Sequence, residues 1–273
     1  MSLTPDQQEQ EGGEELPSTR LYSIVKDWKK YLFEFLLIFT AVFLGFLADN
    51  IREKYGEQQQ AIALARSFYE ELKNDSITIA SKIEGRHQKE KSIKYMVDFF
   101  RDSSLASTSK DLSYHFIWAV TARSPITFTP RTIALDQLKS SGALRYFKND
   151  RLRKLAGDLS VVIDFIAVRQ QYEASIFENY MEPIMTNHMD YDFQYQLWGN
   201  TDNMYERLSQ YQKSDEYIPF KLSQTEKINR QAMMNELSYY HTNGLFSTRI
   251  IAFQQYVTVN AALLKELRTE YGL

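Results

Sequence analysis

KKYLFEFLLIFTAVFLGFLADNIREKY, residues 29–55, decides how the rest of the chain is read. From Tyr31 to Ala48 the only ionisable side chain is Glu34. A helix of that length covers about 27 Å, close to a hydrocarbon core of about 30 Å. A surface helix of a soluble protein carries a polar stripe. Here Leu32, Leu36, Phe39, Phe43 and Phe46 share one face, and Leu37, Leu44 and Leu47 cover its flanks. A cleaved leader is a poor fit, because the run starts late, is too long and ends in Phe46-Leu47-Ala48 without a small-x-small site. The stretch reads as a permanent transmembrane helix over 31–51, solvated by membrane lipid.

The flanks set an orientation. Lys26, Lys29 and Lys30 crowd the N-terminal edge, with Arg20 beyond them, against Arg52 and Lys54 on the other side. The excess places the N-terminus in the cytoplasm and the large C-terminal part across the membrane. Residues 1–20 are acidic and nearly free of apolar side chains, the composition of a disordered tail. Residues 21–30 read as a short interfacial helix, with Leu21, Ile24, Val25 and Trp28 pointing one way into the headgroup layer. A cytoplasmic portion of that size holds no enzymatic output domain.

Beyond the span, alternating steps of four and three from Ile51 reach Tyr55, Gln58, Ile62, Ala65, Tyr69, Leu72, Ser76, Ile79 and Ile83. This is a heptad seam, and it continues through Arg86 and Glu90 to Ile93, Val97 and Phe100 after lapsing around Glu84-Gly85-Arg86-His87. One long stalk helix over 52–101 is expected, bent near Gly85. The same spacing serves an intramolecular bundle or an intermolecular coiled coil. The remainder, 102–273, reads as a helical bundle domain. Thr129-Pro130 offers a helix start, Gly142 a stop, and Asn149 or Asp150 a cap for a long run toward His188. Residues 189–222 look irregular apart from a short helix near Met204–Tyr211. Ser223 and Glu226 form a capping box for a final long helix through Leu267. The fold class is therefore all-α: one transmembrane helix, a stalk and an elongated antiparallel bundle.

Composition narrows the function. A net charge of −3 argues against nucleic acid as a partner, and the absence of cysteine removes disulfides and thiolate chemistry. The four histidines, His87, His115, His188 and His241, lack helical metal-site spacing. His188-Met189-Asp190-Tyr191-Asp192 could gather three ligating groups, but it has no glycine turn or closing Glu, and a solvated loop is the better reading. No nucleotide or hydrolase motif occurs, so no enzyme activity, cofactor or metal is expected.

Two stretches carry a resemblance. GFLADNIRE, residues 45–53, places Gly45, Asn50 and Glu53 at the end of the span. FTPRTIALDQLKSSGALRYFKNDRLRKL, residues 128–155, carries Phe128, Pro130, Leu138, Ser140-Ser141-Gly142, Asn149 and Leu152. The chain resembles an uncharacterised family of bacterial single-pass membrane proteins, a domain of unknown function, and departs from it at Ile51-Arg52, where Trp and Asn are usual. The resemblance implies an inner-membrane anchor with a helical domain outside, and it brings no catalytic residues.

Within the span, Glu34, Ala41, Gly45 and Ala48 fall on one line, and Ala41-x-x-x-Gly45 is a small-xxx-small pair. This is the candidate packing face for self-association or a membrane partner. Glu34 reads either as a snorkelling carboxylate paired with Lys30 or as an ion-responsive group facing a multi-span partner. In the Tyr-rich segment, Tyr191, Phe193, Tyr195 and Trp198 are the candidate partner surface, with aromatic core lining as the plainer alternative. The expected function is a membrane-anchored, non-enzymatic interaction or scaffold protein of the cell envelope. The alternative is a sensor or energy-coupling accessory acting through its anchor.

Overall fold

The computed structural model describes residues 18–199 and 201–273, with side chains from Trp28 onward. The expected acidic tail lies, through residue 17, outside the described residues, as do the side chains of the Leu21, Ile24 and Val25 stripe. All regular structure among the described residues is helical. The first helix, α1 (Ser18–Asp102), contains the expected interfacial, transmembrane and stalk segments without a break. The chain forms two compact units, residues 1–57 and 58–273.

In the first unit the apolar stretch has no protein around it. Its most apolar 18-residue window has a mean hydropathy of 2.2 and no buried residue. Phe35, Phe39 and Phe43 stack on one another at 6.1 and 6.2 Å between ring centroids, one helical turn apart. The helix is long and apolar enough to cross a membrane.

The second unit corrects the expected domain boundary. From Gln58 onward α1 belongs to the same compact unit as the rest of the chain, so residues 58–101 form a wall of the helical domain instead of a separate stalk. Ala65, Tyr69, Leu72 and Ile79 of the seam are buried inside this chain, together with Ala61 and Phe68 beside it. The apolar stripe is broader than a two-position seam, as a helix packed against several neighbours requires. Gly85 does not interrupt α1. A Cβ there would collide with the Pro125 carbonyl, so this glycine admits the turn Ser124–Ile126 against the helix.

The other helices are α2 (Lys110–Phe116), α3 (Ile133–Ser140), α4 (Asp150–Ile176), α5 (Glu182–His188), α6 (Tyr191–Trp198), α7 (Met204–Lys213), α8 (Arg230–Tyr239) and α9 (Gln254–Tyr271). Side chains of Ser109, Asn149, Asp190, Asn203 and Asn229 accept hydrogen bonds from the first-turn amides of α2, α4, α6, α7 and α8. Gly142 ends α3 with φ +69°, a left-handed conformation that glycine adopts without strain. Two apolar cores fill the unit. One gathers Ile93 to Phe100 of α1 with α2 and residues 176–245. The other gathers Ala61 to Ile79 of α1 with α3, the first half of α4 and residues 252–267.

Two expected helix starts move, and one helix is added. Helix α3 begins at Ile133 instead of Pro130, because Thr129–Thr132 is held as an extended strap by α1. There Asp75 accepts from the Arg131 amide (2.8 Å), its guanidinium (2.7 Å) and the Tyr256 hydroxyl (2.8 Å), and Glu71 accepts from the Ala134 amide. The Ser223–Glu226 pair caps nothing. Ser223 is tied to His188 and Met189, and α8 starts later behind Asn229. Residues 189–222 hold two helices, α6 as well as α7. The Asp190 side chain starts the first by accepting from the Phe193 amide.

Candidate functional site

The seam of α1 fails where its residues turn charged, and those charges are buried. Arg86, Lys89 and Glu90 of α1 and Glu173 of α4 are all enclosed. They lie between the two apolar cores, one ending at Ile79 on α1 and Ile166 on α4, the other beginning at Ile93 on α1 and Ile176 on α4. An unpaired charge in such a place costs several kcal/mol, so each needs a partner. Arg86 donates from Nη1 to Glu173 Oε2 (2.9 Å) and to the Leu245 carbonyl (3.1 Å), and from Nε to the Ile126 carbonyl (3.0 Å). Its guanidinium lies 4.4 Å from the centre of the Phe253 ring. The Tyr240 hydroxyl donates to the other Glu173 oxygen at 3.3 Å. One turn along, Arg249 grips Glu90 with two bonds of 2.7 and 3.0 Å.

Lys89 is the exception. Its ammonium donates to the Ala122 carbonyl (2.6 Å) and otherwise faces the rings of Tyr240 and Phe177, at 4.8 and 5.2 Å. Burial pulls its pKa down to about 7, against the opposing pull of Glu173 and with help from the positive charges of Arg86 and Arg123. The Tyr240 phenol moves well above its ordinary value, first because it is buried and then because Glu173 is beside it. Arg123 stands at the edge of the cluster, exposed, with its guanidinium 4.8 Å from the Phe177 ring.

The backbone is unusual at the same place. Wide π-helical turns occupy Ile117–Thr121, Phe177–Met181, Tyr240–Phe246 and Thr248–Phe253. The last two interrupt an otherwise continuous helical run from α8 to α9. Such turns are rare and concentrate at functional sites, because they re-aim side chains that an α-helix would place elsewhere. Gly244 lets this run approach α4. A Cβ there would come within 3.3 Å of Glu173 Cγ and 3.2 Å of the Tyr240 ring. Between the Arg123 turn and α4 lies a cavity of about 160 Å³, lined by Arg86, Arg123, Thr127, Gln170, Glu173, Phe177 and their neighbours.

The residues singled out from the sequence lie elsewhere. Glu34, Ala41, Gly45 and Ala48 are exposed, and a Cβ built at Gly45 would meet nothing within 4 Å apart from the backbone of its own helix and its chain neighbours. Glu34 makes no ion pair with Lys30. Of the aromatic four, Tyr191, Tyr195 and Trp198 are exposed, Tyr195 at 83%. Phe193 is a correction: it is fully buried against Tyr211 and Phe220, because on a short helix it falls on the inward face. His188, Met189 and Asp190 are buried, while Tyr191 and Asp192 are exposed. His188 Nδ1 lies 2.9 Å from the Ser223 carbonyl and Asp190 accepts from the Phe193 and Lys221 amides, so both are committed to holding the chain.

The charged layer did have a sequence signal. Arg86 and Glu90 sit on the heptad positions themselves, and Glu173 follows Ile166 and precedes Ile176 at helical spacing on α4. Charges on seam positions mark buried ion pairs as well as breaks. No protein-family model matches the chain, and no curated protein or solved structure is similar to it.

Proposed function

We propose that the chain is a single-pass, membrane-anchored and non-enzymatic helical protein of the bacterial cell envelope. Residues 31–51 cross the inner membrane with the N-terminus in the cytoplasm, and the helical domain scaffolds or binds an envelope partner outside. The observation that carries this reading is the wholly exposed apolar window of α1. Twelve of its residues between Tyr31 and Ala48 are Leu, Ile, Val or Phe, together worth roughly 5 kcal/mol of insertion free energy before the cost of Glu34. The domain is read as an antiparallel bundle. In support, the start of α4 meets the end of α9 through Asn149 and Glu266, while its far end meets Tyr240 through Glu173.

A second reading, a sensor or energy-coupling accessory, draws support from one feature. Arg86, on the wall of the cavity, belongs to the same unbroken helix as the apolar stretch.

Fractionation tests the anchoring. The full chain should stay with membranes through an alkaline carbonate wash, and a variant lacking 31–51 should be released; equal partitioning of the two overturns the reading. Because the chain has no cysteine, Ser104→Cys supplies a single exposed thiol for topology. Labelling by an impermeant maleimide in intact spheroplasts is expected, and labelling only after lysis would reverse the orientation.

A further inference from the structure

We infer that the cavity between the Arg123 turn and α4 is a binding site for a small organic carboxylate. The inference stands on the helical domain alone and holds whether or not the anchor lies in lipid.

The charges around the cavity do not balance. Glu173 is the one carboxylate on the cavity wall, and both its oxygens are engaged, one by Arg86 and the other by the Tyr240 hydroxyl. Arg123, at the mouth, has no carboxylate partner among the described residues; its guanidinium rests on the Phe177 ring. Lys89 lies behind that same ring and behind Tyr240, with a backbone carbonyl as its hydrogen-bond partner. Positive charge therefore exceeds negative charge around a space that protein atoms do not fill. The charge of Arg123 reaches inward, where it opposes both the protonation of Lys89 and the rise in the Tyr240 phenol. An anion in the cavity pairs with the guanidinium of Arg123 at its mouth.

Chemistry and size narrow the ligand. The other polar groups on the wall are already satisfied. The Gln170 amide exchanges two bonds of 2.8 Å with the Phe128 backbone, and the Thr127 hydroxyl donates to the Arg123 carbonyl. The free donor is a guanidinium, whose planar fork matches a carboxylate. Ile126, Ala174 and Phe177 supply apolar wall, which suits a short hydrocarbon and offers nothing to inorganic phosphate. A volume of about 160 Å³ compares with the engineered cavity of about 150 Å³ that admits benzene. The ligand is thus a short aliphatic or single-ring monocarboxylate. With one free guanidinium, a Kd on the order of 0.1–1 mM is expected.

Titration calorimetry on the detergent-solubilised full chain, at constant ionic strength, tests the inference with sodium butyrate, sodium benzoate and sodium phosphate. Butyrate or benzoate should bind saturably and more tightly than phosphate. Arg123→Gln should weaken that binding at least tenfold while keeping a cooperative thermal transition in the absence of ligand. Ala174→Leu, which fills the cavity from the α4 side without touching a charge, should weaken it as well. The inference is overturned if neither carboxylate binds below about 10 mM, if phosphate binds more tightly, or if both variants bind as the parent does.

Discussion

Helix α1 carries two segments that invert the usual rule in opposite senses. Between Tyr31 and Ala48 it exposes Leu, Ile and Phe side chains that water disfavours; between Arg86 and Glu90 it buries charges that an apolar interior disfavours. The two solve their difficulty differently. The charged segment is compensated within the chain, by Glu173, Arg249, backbone carbonyls and aromatic faces. The apolar segment has no such compensation in the described residues. On the proposed reading, one helix is specified by its partners in the domain and by lipid in the anchor. That contrast predicts which substitutions unfold the protein and which only relocate it.

The largest effect should come from breaking the buried pair. Arg86→Ala leaves Glu173 enclosed and uncompensated, at a cost of about 3–5 kcal/mol. Replacing both partners together, Arg86→Met with Glu173→Leu, should recover most of that loss, because the apolar pair leaves no orphaned charge. Urea titrations of the single and double variants give the coupling. A double variant no better than the worse single variant would mean that the carbonyl bonds of Arg86 hold the layer together more than Glu173 does. A substitution in the other segment, Leu37→Gln, should leave the urea midpoint of the domain within about 0.5 kcal/mol of the parent, since that side chain is exposed.

A smaller loss is expected where α1 holds the Thr129–Thr132 strap. Asp75→Asn keeps the shape and removes the charge that three donors share, at about 2 kcal/mol. The strap also explains the stretch 128–155. Phe128 is buried against Phe253 and Tyr256, Leu138 and Leu152 enter the core, Gly142 ends a helix, and Asn149 starts one. Those residues hold an architecture.

What the sequence disclosed follows the range of the forces involved. The long first helix, the Gly142 stop and the Asn149 cap depend on neighbours within a turn, and each is legible from its own few residues. The start of α3 was not, because Asp75 and Glu71 fix it from more than 50 positions away. The charged layer was half legible. A strict four-three count marks Arg86 and Glu90 as failures of the seam, and only Glu173, 87 residues on, turns one of those failures into an ion pair. The four π turns left no pattern in the sequence. Phe193 shows the same limit, as period alone does not say which face of an eight-residue helix points inward.

The finest test of the contrast is the pH response of Lys89. Its pKa is about 7 in the folded domain and near the usual lysine value once unfolded, so between pH 7 and 10 the unfolded chain binds more protons. Stability should therefore rise with pH across that window, by about 1 kcal/mol between pH 7 and 8. Tyr240, which faces Lys89, stays neutral across the window because burial raises its phenol. His115 and His241, both pulled down by burial, have already lost their protons below the window. Lys89→Met should flatten the slope, and stability curves for the two proteins should converge as the pH climbs. Parallel curves from pH 7 to 9 would mean that Lys89 keeps its proton in the folded domain. The buried layer would then hold a permanent positive charge, compensated by the carbonyl and the two rings alone.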